Sequence, residues 1–178
     1  MIEDFDTLFE EYGKMIYNLS YKMCGASEAE ELTQEIFFKI FQHQQSFKEK
    51  SKISTWIYRI GINTCLQHLR KQKLRKLISY EEIFENSRNI KEAESKHPDP
   101  EEQYNLNELQ KIYLHSLDML LPEQKAAYYL YNHENLSYKE ISEALSCSIS
   151  AVESKIFRAR KNLQKIIGKH YPEHLNNS

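Results

Sequence analysis

Apolar residues along this chain recur at steps of three and four, and no run alternates apolar with polar residues in a regular way. A step of three or four returns a side chain to one face of an α-helix, whereas a half-buried strand needs a period of two, so the spacing predicts an all-α protein. Only four glycines and four prolines in 178 residues leave helices uninterrupted, and 40% apolar content supplies packed cores. That length suits one medium domain or two small ones.

The first helix is expected over about 3–24, with Phe5, Leu8, Phe9, Tyr12, Ile16, Leu19 and Met23 inward and Gly25 as its stop. Ser27 with Glu30 three residues on has the form of a capping box and opens a second helix to about 45. In it Ala29, Leu32, Ile36 and Ile40 suffice as an inward stripe, so Phe37, Phe38 and Phe41 are surplus bulk, either further core or a partner surface. Ser54 is placed to cap a third helix to about 76, with Ile53, Ile57, Ile60, Thr64 and Leu69 inward. Residues 78–100 are acidic, weakly periodic and end in Pro98 and Pro100, which favour extended backbone. They read as a flexible acidic linker between two small helical domains, 1–77 and 101–170, followed by a tail, 171–178.

In the second unit Leu106, Leu109, Tyr113, Leu117 and Leu120 mark a fourth helix, and Pro122 suits the first position of a fifth. Ser137 and Glu140 form a capping box before YKEISEALS; CSIS breaks the pattern; Ser150 and Glu153 form another before a long helix ending at Gly168. Short helix, tight turn and longer basic helix together read as helix-turn-helix, although a plain three-helix bundle with a basic surface has the same pattern.

The net charge of −2 hides strong sorting. Residues 1–35 carry nine acids against two lysines, 50–77 eight cations and no acid, 78–108 are again acidic, and 155–169 carry six cations and no acid. One such run is commonly a solvated helix face; here each basic run sits beside its own motif. In the last helix Val152, Ile156, Ala159, Leu163 and Ile166 share the inward face, which leaves Ser154, Phe157, Arg158, Lys161 and Lys165 outward. A recognition helix enters the major groove with its N-terminal part against base edges, so Ser154, Lys155 and Arg158 are expected at bases and Arg160, Lys161 and Lys165 at phosphates. Glu153 has two readings: the partner of Ser150 in the capping box, or an acceptor for a donor such as the cytosine amino group. On the third helix Trp56, Arg59, Asn63, Gln67 and Arg70 form a stripe of aromatic, cations and amides, the make-up of a surface for unpaired nucleic acid. The competing reading makes Trp56 core and Arg59 an ordinary surface ion.

Cys24, Cys65 and Cys147 are odd in number and far apart, without a C-x-x-C pair, which argues against a zinc clasp or a disulfide framework and suits a reducing cytoplasm. The acidic N-terminus lacks the features of a signal peptide, and no apolar run approaches the ~18 residues of a membrane span. No carboxylate cluster or Cys/His ligand set supports an enzyme such as a small nuclease. Between His170 and His174, Pro172 spoils a helical metal pair. No cofactor is expected.

Three blocks, SEAEELTQEIFFKIF, SFKEKSKISTWIYRIGINTCLQHLRK and LPEQKAAYYLYNHENLSYKEISEALSCSISAVESKIFRARKNL, resemble in order and spacing regions 2.2, 2.3 to 2.4 and 4 of bacterial extracytoplasmic-function sigma factors. The resemblance implies a non-catalytic transcription initiation factor whose partners are core RNA polymerase (the beta-prime clamp helices and the beta flap), promoter DNA and, as often in the family, an anti-sigma factor. It assigns Gln34 and Glu35, with Phe37 and Phe41 beside them, to the clamp helices. Asn63 matches the asparagine beside the pocket for a flipped minus-ten base, Phe47 and the loop to Ile53 the pocket segment, and Trp56, Tyr58 and Arg59 the W-[LI]-Y-R motif. Ser154, Lys155, Phe157, Arg158 and Arg160 match the surface that reads minus-35 duplex. Two departures stand out: Glu153 replaces the basic residue of some members, and Ser146 replaces the usual glycine of the turn, at little cost if the backbone there is ordinary. A stand-alone helix-turn-helix regulator is the alternative, one that binds duplex without melting it.

Overall fold

The computed structural model describes residues 5–48, 51–86 and 108–170. Among them all regular structure is helical: α1 Phe5–Cys24, α2 Ala26–His43, α3 Ile53–Asn86, α4 Glu108–Asp118, α5 Pro122–Asn132, α6 Tyr138–Leu145 and α7 Ile149–His170, with a 3-10 turn at Gln44–Ser46 after α2. The prolines of the expected linker, and Pro172 and His174 of the tail, lie outside the described residues, His170 is the last residue of α7, and α3 continues past its expected end near 76.

The α1–α2 junction is one residue. Gly25 has φ 94, a backbone conformation that a Cβ would strain, and its N–H bonds to Tyr21 O at 2.8 Å. The turn therefore serves as end of one helix and start of the next, and Ser27 falls inside α2, where no side chain caps the helix. This corrects the expected Ser27–Glu30 box. Ser54 likewise lies inside α3, which begins at Ile53, with Trp56 N–H bonded to Lys52 O at 3.2 Å.

Leu8, Ile16, Leu19 and Met23 of α1 meet Leu32, Ile36, Phe37 and Ile40 of α2 and Ile57, Ile62 and Cys65 of α3 in one buried cluster. Phe9, expected inward, is instead 53% exposed and rests on Phe37 with ring centroids 4.9 Å apart. Helix α3 approaches α1 closely at Gly61: a Cβ there would lie 2.5 Å from Leu19 Cδ2. More of α3 is buried than a single stripe predicts, because α1 and α2 cover one flank and α6 covers another. Thr55 and Tyr58 are consequently buried with Ile57, Ile62, Thr64 and Cys65.

In the C-terminal unit Pro122 opens α5, where its missing N–H costs nothing, and Gln124 and Lys125 donate to Leu121 O at 2.9 Å each. The Ser137 box is present in full: Ser137 Oγ accepts from Glu140 N–H and Glu140 Oε2 from Ser137 N–H at 2.9 Å. The turn after α6 places Ser146 at φ 52, ψ 45, left-handed rather than ordinary backbone, so serine there carries a cost of about 1 kcal/mol that glycine would not. Leu130, Ile141, Ala144, Val152 and Ile156 belong to the same buried cluster as the N-terminal helices, while Leu117, Leu120, Ala159 and Leu163 form a second. One polar contact also joins the units: Lys125, almost fully buried, donates to Met23 O at 3.3 Å and to Asp118 Oδ1 at 2.6 Å. An ammonium there satisfies a carbonyl that the last turn of α1 leaves without an intrahelical partner and sits at the negative end of that helix.

Candidate nucleic-acid and partner surfaces

Helix α7 divides as its spacing predicts. Val152, Ile156, Ala159 and Leu163 are buried, and Glu153, Ser154, Phe157, Arg158, Lys161 and Lys165 are exposed, Phe157 by 67%. Its start differs. Ser148, not Ser150, caps it: Ser148 Oγ accepts from Ala151 N–H at 3.2 Å and Ser148 O from Val152 N–H at 3.1 Å. The Ser150–Glu153 box is thereby overturned. Two expected DNA contacts are also engaged elsewhere: Lys155 pairs with Glu123 at 3.0 Å, and the Arg160 guanidinium lies 5.2 Å from the centroid of the Tyr131 ring.

On α3, Arg59, Asn63, Gln67 and Arg70 are all exposed, so the predicted stripe is real for four of its five members. Trp56 is half-buried, packed against the core with its ring 5.4 Å from that of Phe47. Tyr58 departs further: it is buried, and its hydroxyl donates to Glu134 of the loop between α5 and α6. Tyr129 donates to the other oxygen of that carboxylate at 2.5 Å. Burial first, and the bond to the Glu134 carboxylate second, push both phenols well above their ordinary value of 10.

Glu134 thus ties α3 to the C-terminal unit, and two further acids of that unit face cations of α3 and its approach. Lys52 pairs with Glu140 at 2.7 Å and Arg70 with Glu123 at 3.6 Å. The hydrogen bond from Lys52, and after it those from Ser137, hold the Glu140 carboxyl down to about 2. Between the units a cleft of about 700 Å³ has Trp56 and Arg59 on one wall and Ser142, Glu143 and Ser148 on the other. Asn63 and Gln67 are not part of its lining. Sequence reasoning missed Glu134, Glu123 and Glu140 as partners of α3, and no local pattern marks them: contacts between residues 58 and 134 depend on docking, not on spacing.

The α2 face needs one correction. Gln34 and Glu35 are exposed, with Glu35 bonded to Lys39 at 2.7 Å, but Phe37 is buried and belongs to the core. The aromatic beside Gln34 is Phe38, one turn on, 60% exposed, followed by Phe41 at 56%. Gln34, Phe38 and Phe41 step by four and three and share a stripe. Among the described residues no group of His, Cys, Asp and Glu could hold a metal ion, and no helix is long and apolar enough to cross a membrane.

The chain matches the family models Sigma-70 region 2 over residues 8–75 and Sigma-70, region 4 over residues 110–163. It is 31% identical over 169 residues to the RNA polymerase sigma-H factor of Pseudomonas aeruginosa, covering 92% of this chain and 86% of that protein. To the ECF RNA polymerase sigma-E factor of Escherichia coli K12 it is 30% identical over 162 residues, 88% and 83% of the two chains. The ECF RNA polymerase sigma factor SigE of Mycolicibacterium smegmatis is 30% identical over 94% of this chain, which spans 63% of that relative's length. Among solved structures, the sigma factor RpoE in complex with the anti-sigma factor NepR from Bartonella quintana shares the fold, with a TM-score of 0.68 at 24% identity over 93% of this chain and 98% of that one. The two family blocks, in order on two helical units of which the second is a helix-turn-helix, place the chain in the sigma-70 family, among its extracytoplasmic-function members.

Proposed function

We propose that the chain is a promoter-specificity subunit that recruits core RNA polymerase, sets the unit 101–170 on minus-35 duplex and uses the unit 1–77 to hold melted minus-ten bases. The observation that carries this reading is the exposed Arg59–Asn63–Gln67–Arg70 stripe on a helix otherwise buried on two flanks. A regulator that only binds duplex has no use for it. Melting costs a few kcal/mol per unstacked base, and stacking and amide contacts to captured bases, together with polymerase contacts, offset that cost. Gln34, Glu35, Phe38 and Phe41 suit the beta-prime clamp helices: an apolar stripe beside a hydrogen-bonding amide is the make-up of a helix-packing surface. The C-terminal unit faces the beta flap. The chain works in the cytoplasm, performs no chemistry itself and is held by an anti-sigma factor, as its structural relative from Bartonella quintana is.

Run-off transcription with core polymerase on a promoter library tests this directly. Specific transcripts support it, and failure to initiate on any template overturns it. In the same assay Asn63→Ala is expected to lower open-complex formation about tenfold, the worth of one hydrogen bond to a base edge, with binding to minus-35 duplex unchanged. Equal losses in both would remove Asn63 from the melted strand.

A further inference from the structure

We propose that Glu153 is a specificity-determining residue of the minus-35 surface, accepting a hydrogen bond from the N4 amino group of a cytosine. This deepens the sigma-factor reading and rests on it. Glu153 is the fifth residue of α7, and the cap that its sequence position suggests is made without it, by Ser148. At that position it lies beyond the first turn, where the favourable effect of the helix dipole on a carboxylate has faded. Nor is it neutralised locally: among the described residues no cation pairs with it, Lys155 being held by Glu123 and Arg160 by the Tyr131 ring. It stands exposed beside Ser154, with the exposed Phe157 one turn further on the same stripe.

An unpaired carboxylate on a helix that enters a groove lined by phosphates is repelled unless it finds a donor. In the major groove only two base edges donate, adenine N6 and cytosine N4. Adenine presents the N7 acceptor next to its amino group, which repels the second carboxylate oxygen; cytosine has no such neighbour. Glu153 therefore selects cytosine. Phe157, about 6 Å along the helix, is placed to meet a thymine methyl within one or two base steps. The minus-35 element should carry a cytosine with a thymine close by.

The test is run-off transcription by core polymerase and the full chain from templates randomised across the minus-35 element, with transcripts sequenced for wild type, Glu153→Gln, Glu153→Lys and Glu153→Ala. Wild type should favour cytosine at one position about five- to a hundredfold. Glutamine should move that position to adenine, lysine to guanine, and alanine should flatten it, with the other positions unchanged. Identical preferences in all four proteins would overturn the proposal, as would a lysine variant that raises every template equally, since that is a field effect and not base reading. Absence of transcripts from wild type on every template would instead overturn the sigma-factor reading on which the proposal stands.

Discussion

The bond between Tyr58 and Glu134 joins a residue of the third helix to a loop of the C-terminal unit, so its energy is measurable only if the two units are docked in solution. A hydrogen bond to a charged group contributes about 1.5–3 kcal/mol, and Glu134 is half-buried, where residual water moves the value to the lower end. Tyr58→Phe leaves no unpaired polar atom on the phenyl side and keeps Glu134 bonded to Tyr129, so about 1.5 kcal/mol of stability should be lost. Glu134→Gln should cost a similar amount. The double variant should lose little more stability than either single variant, giving a coupling energy of about 1–2 kcal/mol by urea denaturation of the four proteins at pH 7. The sign with pH follows from the raised phenols. Their folded values lie above the unfolded value of 10, so the stabilisation is complete below pH 10 and is lost as pH rises above it, where the unfolded chain releases protons that the folded one retains. Wild type should lose stability above pH 10 more steeply than Tyr58→Phe. A coupling energy below about 0.5 kcal/mol, with parallel alkaline slopes, would refute the docked arrangement of the two units.

Two backbone predictions are independent of DNA. Ser146→Gly should raise stability by about 1 kcal/mol and the melting temperature by about 2–4 °C, because φ 52 strains serine; a fall in melting temperature would mean that the serine side chain contributes to the turn. Gly61→Ala should destabilise by about 1 kcal/mol, since its Cβ would displace the fully buried Leu19 and that overpacking exceeds the propensity gain of about 1 kcal/mol, whereas Gly13→Ala, whose Cβ meets only Phe9 at 3.9 Å, should stabilise by that amount. Stabilisation by both in a calorimetric scan would refute the close α1–α3 approach.

Helices were legible where burial depends on spacing alone. Val152, Ile156, Ala159 and Leu163 turn inward as their steps require, and Ser137 caps α6 as its box requires. Failures cluster where a second element decides. Phe9 and Phe37 share a face of the α1–α2 pair, and only the packing says which is covered: Phe37 is, and Phe9 lies over it. Tyr58 matches a DNA-facing motif, yet α6 stands against that flank of α3 and buries it. Capping signatures failed at Ser27 and Ser150 because a better start, Gly25 or Ser148, lies two residues earlier, and a box in sequence does not rank itself against its neighbours.

The charge sorting acquires a second meaning from the same docking. Three cations from the two basic runs, Lys52, Arg70 and Lys155, have acids of the C-terminal unit as partners. A basic run is thus an ambiguous sign in sequence: it serves phosphate or it serves carboxylate, and the composition is the same. Magnitudes separate the two. Exposed pairs such as Lys52–Glu140 and Arg70–Glu123 contribute little and are screened by salt, so a phosphate replaces either carboxylate at little cost. Tyr58–Glu134 is sheltered and worth more, and a neutral phenol has no phosphate to prefer. A phosphate can therefore take Lys52 and Arg70 from their internal partners without help, while separation of the units turns on the tyrosine and the apolar contacts around it.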